Sequence, residues 1–215
     1  MQAGGRGHRR VRAMDGYWGV LYGIGLGCLL GMPRAFLLNR PLSKTPELHR
    51  EPRRVALGMG IWGIAQAAAL LYWFTTWVDW ASFPLSSMTR GIGSLFLLAG
   101  LVLLVAGHAQ LGRFWSAGLS LTPDQALVHT GVYATIRHPM YAAHWLWAIG
   151  QTLMVHNWLG GPLVLLGLGL LYTGRVGREE AMLRARFGAE YDRYRERTGR
   201  LIPRWPRRWR VGPKG

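Results

Sequence analysis

Long stretches of this chain carry no Asp, Glu, Lys or Arg: Tyr17 to Met32, Val55 to Val78, Gly91 to Gly112 and Pro139 to Gly174. A bilayer core of roughly 30 Å takes about 20 apolar residues to cross as a helix, because a helix satisfies its own backbone N–H and C=O groups where there is no water. The second and third stretches each meet that length. The first is shorter and glycine-rich, and extends through Pro33 and Arg34 toward Leu38. The last is broken near its middle by Asn157-Trp158-Leu159-Gly160-Gly161-Pro162, whose glycines and proline mark a turn. It reads as two antiparallel spanning helices. The expected fold is an all-α integral membrane protein of about five transmembrane helices.

Beyond Gly174 the pattern changes to a charged helix, Arg175 to about Arg197, with Phe187, Tyr191 and Tyr194 at the spacing of one face. This C-terminal helix lies in the cytoplasm and completes a pocket there. Residues 1–110 then hold three N-terminal spans. Residues 111–215 hold a loop, the helical hairpin of 139–174, the charged helix and a basic tail.

Charge narrows the partners. The formal charge is +16, with lysine only at Lys44 and Lys214, against ten acidic residues. This arginine bias points to a GC-rich, bacterial genome. The positive charge sits beside apolar spans and tryptophans, as in Arg204-Trp205-Pro206-Arg207-Arg208-Trp209, so membrane lipid rather than nucleic acid is the expected partner. Basic loops stay cytoplasmic, which places 34–54, 112–138 and the C-terminus there. The N-terminus then falls outside, in conflict with Arg6, Arg9, Arg10 and Arg12. A natural start at Met14, or a re-entrant first stretch, removes the conflict. No small-residue cleavage pattern follows the first stretch. The single Cys28, inside an apolar run, is expected as a small buried hydrophobe.

Chemistry-bearing residues gather at two places. One is the loop from Leu127 to Tyr141, where Pro139 suits the first turn of a helix and the free N–H groups of that turn favour an anion. The other is Arg175, Arg178, Glu179 and Glu180, just past the last span. A hairpin returns both ends to one side, so the two places meet at the cytoplasmic surface. Such a cleft admits a water-soluble cofactor from one side and a lipid-like substrate from the other. The plain alternatives are ordinary ones. Arg137 can hold a helix end among headgroups. Arg175 with Glu179, and Glu180 with Arg184, are i,i+4 surface pairs worth about 0.3–0.5 kcal/mol. His108, His144 and His156 make helix–helix hydrogen bonds more readily than they bind haem or metal.

Leu127-Val128, Gly131-Val132-Tyr133, Arg137-His138-Pro139-Met140-Tyr141, Glu179-Glu180-Ala181-Met182-Leu183, Phe187-Gly188 with Tyr191 and Tyr194, and Leu201-Ile202-Pro203 occur in that order. Together they resemble the C-terminal half of the isoprenylcysteine carboxyl methyltransferases and related phospholipid methyltransferases, over roughly Leu127 to Pro203. The resemblance implies S-adenosyl-L-methionine as cofactor, held by Gln125, Ala126, Leu127, Val128, Tyr133, Arg137, His138, Pro139, Met140, Tyr141, Glu179 and Glu180. It implies a substrate carboxylate held by Arg175, with Arg175 and Glu179 as the catalytic pair and no metal. A sulfonium methyl is already electrophilic and a carboxylate is ionised at neutral pH, so transfer between them needs neither metal nor base. A thiol or amine acceptor would bring in Glu179, Glu180 or His138 as base. The rival readings are a phospholipid N- or thiol S-methyltransferase, an NADPH-dependent sterol-reductase-like enzyme and a membrane transporter or scaffold. Against the reductase stands Glu179-Glu180, where such proteins carry an Arg-Asp-rich segment with cysteine. The acceptor and the oligomeric state are left open.

Overall fold

The computed structural model describes residues 16–29, 52–114 and 126–204. Regular structure among them is helical, with two isolated bridges, Ser82 to Asn157 and Ile136 to Gly199. The described part of the first helix, α1, is Gly16–Leu29. Then come α2 (Arg53–Phe74), α3 (Ser87–Leu111), α4 (Pro139–Met154), α5 (Leu163–Phe187) and α6 (Ala189–Arg197). Short 3-10 turns lie at Asp79–Ala81, Gly112–Phe114 and Gly131–Ala134. Gln125, Met14, most of the 34–54 loop and the 205–209 tail lie outside the described residues.

Both α2 and α3 are long and apolar enough to cross a membrane. By contrast α4, at 16 residues, is only about 24 Å long at 1.5 Å per residue. Several boundaries differ from the sequence expectation. Helix α2 stops at Phe74 rather than Val78, where the Thr75 hydroxyl bonds back to the Leu71 carbonyl at 2.8 Å and the chain leaves the helix. There is no break at Gly174: α5 carries the apolar residues and the charged ones in a single rod. The charged helix expected over 175–197 is instead divided at Gly188. Its φ of +53° is one an L side chain resists, and its N–H caps the Arg184 carbonyl. Cys28 is exposed on α1, not buried.

The expected hairpin helices do not pair chiefly with each other. Helix α4 lies along α3, and α5 lies along α2. Hydrocarbon offers no hydrophobic force to join helices, so close packing of small residues does it. A Cβ on Gly150 would sit 2.7 Å from the Gly93 carbonyl oxygen and 2.8 Å from the Leu97 nitrogen. A Cβ on Gly167 would sit 2.6 Å from the Trp62 nitrogen. These contacts are to backbone, which cannot rotate aside. The bundle core forms around Trp147, with Tyr22, Leu26, Leu97, Leu104 and Met154. Several polar atoms within it are paired, although Gln66 Nε2 and Trp73 Nε1 have no hydrogen-bond partner among the described residues. The Trp147 indole donates to Gln151 at 3.0 Å, Gln151 donates to the Gly160 carbonyl at 2.7 Å, and Tyr22 donates to Gln66.

Gly150→Ala should therefore lower stability by about 1–3 kcal/mol through overpacking. Gly63→Ala, where a Cβ meets nothing within 4 Å, should leave stability unchanged or raise it by up to about 1 kcal/mol. Thermal unfolding of the two variants in detergent checks the contrast, and equal effects would dismiss the packing argument.

Candidate active site

At the end of the bundle where α4 begins and α5 emerges, three segments meet at one carboxylate. The Arg137 Nε donates to Glu180 Oε1 at 2.8 Å, and Arg200 Nε donates to the same oxygen at 3.0 Å while its Nη2 bonds Oε2. His138 Nε2 lies 3.3 Å from Glu180 Oε1. An ionised carboxylate only accepts, so this nitrogen carries a proton. Arg137 also reaches the Thr198 carbonyl through Nη1 at 2.8 Å.

Backbone pairing reinforces the junction. Arg137 N–H donates to the Gly199 carbonyl at 2.9 Å, His138 N–H to the Arg200 carbonyl at 3.1 Å, and Gly199 N–H to the Thr135 carbonyl at 2.9 Å. The Tyr194 hydroxyl donates to the Tyr133 carbonyl at 2.8 Å. In this way α6 and the segment after it are laid against the Thr135–His138 turn. On the membrane side, Gln110 at the end of α3 accepts from the Val132 N–H at 2.7 Å, fixing the 3-10 turn that presents Tyr133.

Electrostatics follow from this geometry. Burial alone would raise the Glu180 carboxyl. Hydrogen bonds from His138, Arg137 and Arg200 outweigh it and hold the group well below the usual carboxylate range. Burial pushes the Tyr133 hydroxyl up, with Tyr194 and Glu179 adding to it, so it stays a donor at neutral pH. Burial likewise raises Tyr191 to about 12. The hydrogen bond to the Glu180 carboxylate raises the Arg200 guanidinium, and Tyr172 adds to it.

Of the residues named from the sequence, Arg137, His138, Glu179 and Glu180 come together. The two glutamates take different places. Glu180 is enclosed, whereas Glu179 is more open, with Oε1 3.9 Å from His138 Nδ1 and its side chain 31% exposed. The Tyr141 ring lies 5.6 Å from that of His138 and 5.3 Å from that of Tyr172. Pro139 occupies the first turn of α4, as expected, and packs with Met140 and Tyr133 over Gly107 of α3. Leu127 and Val128 are half-buried and Ala126 is exposed; Arg175 is half-buried one turn before Glu179 on α5. The surface pair of Glu180 with Arg184 does not form: Arg184 bonds Asp192 across the Gly188 bend. His108 and His144 place Nδ1 at hydrogen-bond distance from carbonyls of their own helices, Leu104 and Met140.

Arg200, Thr198, Gln110 and Tyr172 were not foreseen. Only the tertiary meeting of segments brings them in, and no spacing in the sequence announces it.

Comparisons with known proteins match part of this region. Residues 93–185 match the family model described as the Isoprenylcysteine carboxyl methyltransferase (ICMT) family. This match takes in α3 from Gly93, the turn before α4, α4 itself and α5 through Ala185. It reaches further upstream than Leu127 and stops short of Leu201-Ile202-Pro203. A Schizosaccharomyces pombe protein-S-isoprenylcysteine O-methyltransferase is 33% identical over 113 residues, 52% of this chain and 48% of that one. The nickel-cobalt-cadmium resistance protein NccN of Alcaligenes xylosoxydans xylosoxydans is 27% identical over 147 residues, 68% of this chain and 64% of that one. A solved structure of the eukaryotic intramembrane Ras methyltransferase ICMT superposes with a TM-score of 0.50 and 25% identity, covering 73% of this chain and 54% of that one. The chain spans less than half the length of the first curated ICMT relatives it matches.

Glu180→Gln should destabilise the protein by about 3 kcal/mol, the low end for breaking a buried pair, since Arg200 is partly exposed. The carboxyl is depressed in the folded state. Its contribution is therefore full above the ordinary carboxylate range and is lost as pH falls below that range toward the folded value. Chemical unfolding of wild type and variant at descending pH should show their difference narrowing through that window. A constant difference would rule out the ionised hub.

Proposed function

We propose that this chain transfers the methyl group of S-adenosyl-L-methionine to a hydrophobic acid at a membrane surface, most simply the carboxylate of a prenylcysteine-like molecule. The reading places α1 to α5 across a bacterial inner membrane, with the Glu180 hub, α6 and the active site on the cytoplasmic face. The observation that carries it is the convergence of the Arg137-His138 turn with Glu179 and Glu180 at the mouth of an apolar bundle, inside a segment matched by the ICMT family model.

The residues present suit the cofactor. Glu179 offers a partly open carboxylate, Tyr133 a hydroxyl that stays protonated, and Tyr141 and Tyr172 an edge-to-face aromatic pair of the kind that favours cations. Bound there, S-adenosyl-L-methionine supplies an electrophilic methyl on a cationic sulfur. The protein's own part is alignment. Arg175 orients the acceptor carboxylate, the aromatic layer of Tyr141, Tyr172 and Trp145 keeps water away, and the clamped Arg137–His138 turn holds the first turn of α4 in place. No base is required for an acceptor that is already ionised.

Titration calorimetry on detergent-purified protein tests this. S-adenosyl-L-methionine and S-adenosylhomocysteine should bind in about the micromolar range. Glu179→Ala should weaken both by about tenfold or more, close to 1.4 kcal/mol, without unfolding the bundle. Arg175→Ala should keep the cofactor affinity and lower turnover of acidic acceptors relative to thiols or amines. Absence of binding by folded protein in lipid nanodiscs would overturn the cofactor assignment. Unchanged turnover by Arg175→Ala would overturn the acceptor role.

A further inference from the structure

A separate cleft of about 740 Å³, which shares Arg137 with the residues assigned to methyl transfer, opens between the end of α5, α6 and the segment after Arg197. Five guanidinium groups line it, those of Arg137, Arg184, Arg195, Arg200 and Arg204, together with the acidic residues Asp192 and Glu196. The carboxylates are shared. Glu180, at the back, serves both Arg137 and Arg200, and Asp192 serves both Arg184 and Arg195, the latter at 3.7 Å. Arg204 donates not to the Glu196 carboxylate but to its backbone carbonyl, at 2.9 Å. Five positive groups thus face three negative ones, Glu180 included, which leaves a surplus of two. The Arg195 Nε is buried with no acceptor among the described residues.

We propose that this cleft is a binding site for a small, multiply charged phosphate-type anion drawn from water. Guanidinium forks match phosphate oxygens in pairs, and the volume is that of a small-molecule site. A surplus of positive charge disfavours the sulfonium cofactor, and of the residues assigned to that cofactor only Arg137 reaches the cleft. The position favours a soluble ligand over a headgroup. Arg184 lies ten residues beyond Gly174 along the α5 rod, roughly 15 Å past the apolar segment at 1.5 Å per residue. The site stands independently of any turnover.

Inorganic pyrophosphate is the probe, titrated calorimetrically into the detergent-solubilised full chain. Wild type should bind one equivalent, more weakly as salt rises. The double variant Arg195→Gln/Arg204→Gln, which leaves the Glu180 hub intact, should bind at least tenfold more weakly. Arg193→Gln, on an exposed position of α6, should bind as wild type does. Failure of folded wild type to bind, or equal binding by the double variant, would overturn the site. A second arm compares nanodiscs of phosphatidylcholine with nanodiscs containing phosphatidic acid. Equal pyrophosphate affinity in both supports a soluble ligand. A fall of tenfold with phosphatidic acid would mean that lipid phosphate fills the cleft, and would overturn the soluble assignment.

Discussion

Burying the Glu180 carboxylate costs several kcal/mol of lost hydration unless cations surround it, and no single segment of the chain supplies enough of them. Arg137 and His138 come from the turn before α4, Arg200 from the strand-like segment after α6. Ionising Glu180 therefore requires three pieces of chain to be in place together. Once they are, the backbone hydrogen bonds between Thr135–His138 and Gly199–Arg200 form at no further cost in order. The clamp then determines where α6 lies, which side of Tyr133 is covered, and how the first turn of α4 enters the bundle.

That clamp only works because the apolar helices deliver its parts to the same end. Helix α4 follows α3 and α5 follows α2, each pair brought close at glycines whose neighbours are backbone atoms. Small residues here do the joining that hydrophobic burial does in water. With α5 continuing through Gly174 as one rod, Arg175, Glu179 and Glu180 are carried out of the apolar zone on a rigid support rather than on a loop. Side chains that must meet a partner with sub-ångström tolerance are better held that way.

The sequence disclosed the parts that depend on local composition. Charge-free runs marked the apolar helices, Pro139 marked the start of α4, and the order of motifs marked the end of the bundle where Arg137, His138, Glu179 and Glu180 meet. It disclosed less where two local signals compete. Gly188 follows Arg184 and Arg186, a combination that ends helices, yet the aromatic spacing of Phe187, Tyr191 and Tyr194 suggested continuity. Conversely Gly174, an apparent boundary, sits inside a helix because its missing side chain lets Val55 of α2 approach. Charge pairing was misjudged for a related reason. An i,i+4 partner is always present on a helix, but Glu180 gains more from Arg137 and Arg200 in a half-dry junction than from Arg184 in water.

Adjacent glutamates on one helix turn point roughly 100° apart, so they cannot share a role. Glu180 faces the turn and the tail, and with Arg137, His138 and Arg200 around it, its oxygens are committed to holding the junction. Glu179 faces the other side of His138, at 3.9 Å from Nδ1 and partly open. A bound cation gains most from a carboxylate near low-dielectric walls and not already matched by arginines, and Glu179 fits that description better than its neighbour. The proton that Glu180 holds on His138 Nε2 leaves Nδ1 to respond to Glu179. The enclosed carboxylate thereby sets the orientation of the ring beside the open one. The two glutamates of this motif differ in burial and in partners, which the letters Glu-Glu do not reveal.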